Sequence, residues 1–302
     1  MFRLAHISDP HLGPLPEIRW RDLASKRVTG YVNWRQSRGK AMAPPALARI
    51  MADLVDQSAN HLAITGDLVN LGLDAEVENA RLWLEAQGAH SDISVVPGNH
   101  DAYVPGALAK ACKSWQPFMS GDAVPKSAAP QDLFPFLRVR GKVGIIGVSS
   151  AIATAPFLAR GAFRSVQAQR LAQLLASCGK DGLFRVILIH HPPVRGAAPL
   201  RKRLFGIGLF QEIIAQQGAE LVLHGHTHLP TVNFIKGRDG RVPVIGVSST
   251  SQSPGSRKPS AGYNLFEISG EPGAWICDLQ HRSMTEVSTV AAAGETTRLT
   301  PP

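Results

Sequence analysis

Short apolar runs that end in small or polar residues alternate with longer amphipathic stretches through the first two thirds of the chain. Phe2 to Ser8 mixes β-branched and apolar residues and stops at Asp9, the pattern of a strand feeding a loop. Pro44-Pro45 opens a helix with Leu47, Ile50, Met51, Leu54 and Val55 on one side. His61 to Thr65 predicts a buried strand ending at Gly66-Asp67. Asp74 caps a helix carrying Val77, Leu82, Trp83 and Leu84, and Gly88 stops it. Ile93 to Val96 is a further strand, followed by a loosely helical stretch from Tyr103 to Met119 and a Pro-, Ala- and Ser-rich surface loop from Gly121 to Gln131. Phe134 to Arg140 and Val143 to Val148 form a hairpin turning at Gly141-Lys142. A helix from Ser165 to Cys178 leads to the strand Phe184 to Ile189, and a helix over Leu209 to Gln217 precedes the strand Glu220 to Leu223. Beyond His228 the pattern shortens to consecutive strands: Thr231 to Ile235, Val242 to Val247, Tyr263 to Ile268 and Ala274 to Leu279.

Strand and helix alternation followed by strands alone predicts one α/β domain with two packed sheets and helices on the outer faces. That domain spans residues 1–284. From Thr285 the chain is small and polar and ends in Pro301-Pro302, so 285–302 is expected to be a flexible tail. Neither an internal repeat nor a linker is visible.

The bulk numbers narrow the class without naming it. A chain of 302 residues with 44% hydrophobic and 18% charged residues can bury a large core as a soluble globular protein. Cys112, Cys178 and Cys277 are far apart and show no CxxC spacing, so neither a disulfide framework nor a zinc ribbon is expected. No run of about 18 apolar residues occurs, and Met1 to Ile7 leads straight into the first polar block, leaving no room for a signal peptide. The expectation is a cytoplasmic protein, or one held peripherally on the inner face of the membrane. The net charge of +9 is uneven. Between Pro14 and Ala43 stand Arg19, Arg21, Lys26, Arg27, Arg35, Arg38 and Lys40 against only Glu17 and Asp22, interleaved with Trp20, Tyr31 and Trp34. Trp20, Leu23, Ala24, Val28 and Tyr31 approximate one helical face, which Gly30 weakens. This basic, aromatic insert at about 14–43 suits an anionic partner: a lipid surface touched through residues 19–40, or a substrate phosphate. Its bland reading is an ordinary solvated loop.

The chemistry gathers at strand ends, where open α/β sheets keep their ligand sites. Five blocks recur there: Asp9-Pro10-His11, Gly66-Asp67, Gly98-Asn99-His100-Asp101, His190-His191-Pro192-Pro193 and Gly225-His226-Thr227-His228. Any one of them could be a surface turn or a cap. Together they supply two aspartates, an asparagine and four or five histidines, a mixed oxygen and nitrogen set suited to Mn, Fe, Zn, Co or Ni rather than to Mg or Ca. Seven protein ligands exceed the need of one ion and fit a pair roughly 3.5–4 Å apart, joined by a carboxylate and activating a water as hydroxide. His6, His61, His90 and His281 read as structural histidines, and His224, by its place along a strand, as a buried hydrogen-bonding one.

These five blocks, in this order from Asp9 to His228, resemble the calcineurin-like metallophosphoesterase superfamily, and no ligand position is missing. The resemblance implies a four-layer αββα sandwich of two packed mixed sheets, with a dinuclear metal site at strand ends. It implies two divalent or mixed-valence transition metals (Mn, Fe or Zn), with Asp9, His11 and His228 on the first, Asp67 bridging, and Asn99, His190 and His226 on the second. Either histidine of His190-His191 could ligate; His190 is preferred because Ile187-Leu188-Ile189 delivers it directly from the strand. His100 would serve the leaving group as an acid or transition-state partner, with Asp101 orienting and charging its imidazole.

The implied activity is hydrolysis of an anionic phosphodiester or phosphomonoester, with a phosphodiesterase of cyclic-nucleotide or glycerophosphodiester type as the leading expectation. A pyrophosphohydrolase acting at the membrane surface on a nucleotide-linked lipid, as in lipid A synthesis, is the alternative that the insert favours. A nuclease draws on the positive charge, but no appended nucleic-acid-binding domain follows residue 228, so nucleic acid is disfavoured as a partner. A non-catalytic metal-binding scaffold is the third class, and such scaffolds betray themselves by missing ligands.

Overall fold

The computed structural model describes residues 1–23, 25–38, 44–123, 125–285, 289–292 and 294–300. In chain order it begins β1 (Phe2–Ile7), α1 (Trp20–Leu23), α2 (Arg27–Asn33), α3 (Pro44–Asp56), β2 (His61–Ile64), α4 (Asp74–Gln87) and β3 (Ile93–Val95). The middle carries α5 (Ala107–Ser114), α6 (Pro130–Leu133), β4 (Phe136–Arg140), β5 (Val143–Gly147), β6 (Gly161–Ala162), α7 (Ser165–Lys180), β7 (Phe184–Leu188), β8 (Leu204–Phe205), α8 (Ile207–Gln217) and β9 (Leu221–His224). The last part is all strand: β10 (Thr231–Lys236), β11 (Arg241–Gly246), β12 (Gly262–Ser269), β13 (Ile276–Met284), β14 (Val290–Ala292) and β15 (Thr297–Arg298).

Two mixed sheets result. One runs β14-β13-β12-β1-β2-β3 with β15 also on β13; the other runs β10-β11-β9-β7-β5-β4. In each, the parallel strands lie together: β1, β2 and β3 in the first, β5, β7, β9 and β11 in the second. Antiparallel pairing flanks them: β12 on β1 in the first sheet, and β10 on β11 and β4 on β5 in the second. Strand alternation shows how the layers stack. Ile145, Val186, Leu188, Leu221 and Leu223 point into the core shared with Leu4, Ala63 and Phe266 of the first sheet. The intervening Ile146, Ile187 and Val222 point the other way, against Leu171, Leu175, Phe210 and Ile214 of α7 and α8. Ile50 and Leu54 of α3 and Val77, Ala80 and Leu84 of α4 cover the opposite face of the first sheet. This is the four-layer αββα sandwich, each fully buried aliphatic side chain contributing about 1.5–3 kcal/mol of transfer free energy.

Register aligns the ends that matter. Ile7 pairs with Ile64, and Ile64 with Val95, so the chain leaves three neighbouring strands at the same edge. Leu188 pairs with Leu223, and Gly246 with His224, aligning the second sheet likewise. A bridge between Ser8 and Ser249 joins the two edges.

Three local expectations need correction. The tail is not free: β14 and β15 pair with β13, and Leu299 is buried against the main core with its amide on the Cys277 carbonyl. Edge pairing of short polar strands leaves almost no hydrophobic signal, which is why composition alone suggested a loose end. Residues 301–302 and 286–288 lie outside the described residues. The insert is not one helix: α1 and α2 are separate, Trp20 is 90% exposed, and Ala24 and residues 39–43 lie outside the described residues. Leu73, not Asp74, occupies the cap position of α4; its amide, and those of Asn70 and Leu71, donate to buried Glu76. Among the described residues no helix is long and apolar enough to cross a membrane.

Candidate metal centre

All five strand-end blocks meet where the two sheets' edges come together. Asp9 and His11 follow β1, Asp67 follows β2, Asn99 and His100 follow β3, His190 follows β7, and His226 and His228 follow β9. Five of these residues, Asp9, His11, Asp67, His226 and His228, hold φ between 40° and 67°, the left-handed region that side chains other than glycine seldom adopt. Strain of that kind collects at functional sites and persists because the surrounding structure enforces it. The motif glycines have a spatial reason. A Cβ on Gly98 would collide with the Asp67 carboxylate, and one on Gly225 with Ser8 and Asp9.

Two groups of donors share a pair of carboxylates. Asp9 Oδ1 lies 3.1 Å from His228 Nε2 and 3.9 Å from His11 Nε2. Asp9 Oδ2 accepts from the His226 amide at 3.0 Å and from Ser8 Oγ at 2.7 Å. Asp67 stands between the groups: Oδ2 is 3.9 Å from His11 Nε2 and 3.4 Å from His190 Nε2, while Oδ1 accepts from the His100 amide at 2.7 Å. His190 Nε2 is 3.3 Å from Asn99 Oδ1 and 3.2 Å from His226 Nδ1. Single donor atoms from Asp9, His11 and His228, from Asp9, Asp67 and His190, and from His190, His191 and His226 form clusters within 4.8 Å.

The outer nitrogens are tied down. His190 Nδ1 donates to the Thr65 carbonyl at 2.6 Å, His11 Nδ1 to Val69 O at 3.2 Å, and His226 Nε2 to Lys202 O at 2.9 Å. Backbone acceptors of this kind fix tautomer and ring orientation, leaving the inward nitrogen as a lone pair. The lone pairs of His190 and His226 then converge with Asn99 Oδ1 and Asp67 Oδ2. Four acceptors aimed at one volume need a proton or a metal ion among them, and this donor set fits a transition-metal ion.

Electrostatics agree with the geometry. Burial would raise the Asp9 and Asp67 carboxyls, but His228 and His190 hold the first, and His190 and His100 the second, far below the usual range. For His190 burial works downward and is outweighed by Asp67, Asp9 and the Thr65 carbonyl, which push it up to about 9. His191 behaves oppositely: burial and His190 lower it to about 3. Its Nδ1 meets Ser150 Oγ at 2.8 Å and its Nε2 Ala159 O at 3.3 Å, so hydrogen bonds occupy both nitrogens. His190 is the one whose nitrogen faces Asp67. His224 donates from Nδ1 to Gly225 O at 3.0 Å, inside the core.

Asp101 is placed differently from expectation. It does not orient His100. Its buried carboxylate accepts from the amides of Asp67, Leu68, Val69 and Gly98, binding the two motif loops together. Strand-end loops expose several amides at once, and Asp101 is the acceptor within their reach. The Asn70 carbonyl holds His100 instead, 2.6 Å from Nδ1, and Tyr103 stacks on the ring at 5.3 Å. His100 is half-buried, in contrast to the ligand candidates around it. Sequence reasoning did not find Asn70, Tyr103, Glu76 or the buried run Ser248–Gln252, whose Ser249 Oγ donates to Asp9 O. That polar run after an apolar stretch was the one visible signal, and it looks like any loop.

A cavity of about 520 Å³ adjoins His11, walled mainly by Leu12, Trp34, Leu47, Met51 and Trp83.

The calcineurin-like phosphoesterase family model matches residues 2–230, a span that contains every one of these blocks. The chain belongs to the calcineurin-like phosphoesterase family. As a member it is a metallophosphoesterase, a hydrolase of phosphoric esters, and the family's use of divalent metals agrees with the donor clusters. A probable cyclic nucleotide phosphodiesterase of Synechococcus sp. is 30% identical over 237 residues, 76% of this chain and 80% of that one. Among solved structures, a dimetal phosphatase from Danio rerio superposes with a TM-score of 0.59 at 13% identity, covering 99% of this chain and 98% of that one. A 5'-nucleotidase precursor from Thermus thermophilus gives 0.52 at 16% identity, with 92% of this metallophosphoesterase covering 54% of the larger chain. At such identities these two establish the shared fold.

Proposed function

We propose that this metallophosphoesterase is a phosphodiesterase whose substrates are cyclic nucleotides. The observation that carries the reading is the 30% identity, over three quarters of the chain, to a protein named as a probable cyclic nucleotide phosphodiesterase. In this reading Asp9, His11 and His228 would hold one metal, Asn99, His190 and His226 a second, and Asp67 would be shared between them. Bound there, such a pair supplies an activated water and neutralises charge on the phosphoryl oxygens. The remaining tasks belong to the chain. Asp67 takes the His100 amide on Oδ1, fixing the β3 loop against the ligands. His100, whose Nδ1 lies 2.6 Å from Asn70 O, would in its doubly protonated form deliver the Nε2 proton to the departing alkoxide and be left as neutral imidazole.

The test is turnover by metal-loaded protein. A 3',5'- or 2',3'-cyclic nucleotide and an aryl phosphodiester should be hydrolysed faster than an aryl phosphomonoester. A preference for the monoester, with cyclic nucleotides untouched, would overturn the proposal.

One observation favours a second reading, a nucleotide-linked lipid as substrate. The cavity beside His11 is walled largely by apolar and aromatic side chains, room for an alkyl chain rather than for a polar base. Hydrolysis of a lipid-linked diphosphate in detergent, without cleavage of cyclic nucleotides, would put this reading in place of the first.

A further inference from the structure

The insert between β1 and α3 brings an ammonium group to the site without a carboxylate to match it. Lys26, at the start of α2, is half-buried. Its Nζ lies 2.8 Å from Thr154 Oγ1 and 3.0 Å from Leu158 O, two acceptors on the loop that follows β5. It also stands 4.7 Å from the centroid of the Tyr103 ring. Among the described residues no carboxylate lies within ion-pairing distance of it. The segment that carries it is firmly seated. Arg27 Nε donates to Leu71 O at 3.0 Å and Nη2 to Gly72 O at 2.5 Å. Gly30 sits so close to the Tyr103 hydroxyl and Leu71 that a Cβ would collide with both.

Tyr103 connects this ammonium to the chemistry. One ring stacks on His100 at 5.3 Å and 23°, while Lys26 lies over the same tyrosine. Burial lowers the Lys26 ammonium's pKa, and the charge of Asp67 acts against that effect. A cation withdrawn from water without a counter-ion is costly, and an anionic ligand arriving beside it relieves that cost. Of the three N–H donors on an ammonium, Thr154 and Leu158 use two, which leaves one to give.

We infer that Lys26 is a substrate-binding residue whose ammonium pairs with a non-bridging oxygen of the substrate's phosphate, on the side of the site where His100 and Tyr103 stand. The assignment rests on the reading of the metal centre as a phosphoesterase site. It gives the insert a purpose besides cover: charge brought in from outside the two sheets.

The experiment compares metal-loaded wild type with Lys26→Gln, Lys26→Arg and Thr154→Val. Gln keeps the stem and the hydrogen bonds to Thr154 and Leu158 but removes the charge. Thr154→Val loosens the seat and leaves the charge. Steady-state kinetics on bis(p-nitrophenyl) phosphate and calorimetric titration with inorganic phosphate are the readouts. Lys26→Gln should raise KM and weaken phosphate binding by about 10- to 100-fold, the size of one charge-assisted hydrogen bond, with a flatter salt dependence. Lys26→Arg should recover most of the loss, and Thr154→Val should leave phosphate affinity near wild type. Equal phosphate affinity for Lys26→Gln and wild type overturns the assignment. So does a Thr154→Val variant as impaired as Lys26→Gln, because Lys26 would then only fasten the loop. If wild type cleaves no phosphoester, the functional reading falls, and the phosphate titration still decides the role of Lys26.

Discussion

His190 Nε2 and His226 Nδ1 face each other across 3.2 Å, each imidazole having given its other nitrogen to a backbone carbonyl. Two lone pairs at that distance repel unless a proton or a metal stands between them. In the metal-free protein the proton is on His190, whose pKa is lifted to about 9 by Asp67 and Asp9 against the effect of burial.

Metal binding therefore displaces a proton, because a ligating imidazole must be neutral. Between about pH 6.5 and 9, calorimetry in buffers of different ionisation enthalpy should show about one proton released as metal fills this position, and affinity should rise with pH. The metal-free fold has the opposite dependence. A histidine whose pKa is raised on folding stabilises fully below its unfolded value near 6.5 and loses that contribution as pH climbs through about 9. Metal uptake without proton release at pH 7 would show that His190 is neutral beforehand.

Asp67 lies between the two donor groups, with Oδ2 reaching both His11 and His190. Asp67→Asn keeps the shape and removes the charge that holds two dications near each other. Metal analysis should then find one tightly bound ion or fewer, with turnover lost. Retention of two tightly bound metals and full activity would take Asp67 out of the bridging role.

His100 and its sequence neighbour Asp101 should behave as different kinds of residue. His100→Ala should keep metal content and lower kcat by about 10²–10⁴-fold, with a smaller penalty for esters whose leaving groups need no proton. Asp101→Ala strands four buried amides and should cost about 2–4 kcal/mol of stability. Denaturant melts and metal analysis on both variants separate the roles. Loss of metal in His100→Ala would make it a ligand, and an undisturbed melt for Asp101→Ala would remove it from the scaffold.

The contrast between these neighbours marks what the chain made legible. Ligand types, their order and their delivery by apolar strands stood in the linear pattern, since strand periodicity and terminal polar residues are local properties. What could not be read were contacts made by backbone atoms of distant loops. The Asn70 carbonyl on His100, the four amides on Asp101 and the Thr65 carbonyl on His190 depend on how the sheets' edges meet, and carbonyls and amides carry no sequence signature. The tail failed for a related reason: β14 and β15 are held by ladder hydrogen bonds and one buried leucine, Leu299.

Among the described residues the basic insert has an inward and an outward set, and the second is available to a lipid surface. Lys26 and Arg27 are turned to the body of the protein, whereas Arg19, Trp20, Arg21 and Arg35 are exposed, with Val28 and Val32 nearly half-exposed. We propose that this outer face contacts anionic membranes. A basic residue near such a bilayer contributes about 1 kcal/mol at modest salt, so three arginines with an interfacial tryptophan give weak, salt-sensitive binding. Wild type should co-sediment with phosphatidylserine vesicles at low salt and release as salt rises. Replacing Arg19, Arg21 and Arg35 with Gln and Trp20 with Ala should abolish that binding while hydrolysis of a small soluble diester continues, because none of the four belongs to the metal centre. Wild-type protein that ignores the vesicles at low salt would end the membrane proposal, and a quadruple variant that still binds them would move the contact to another face.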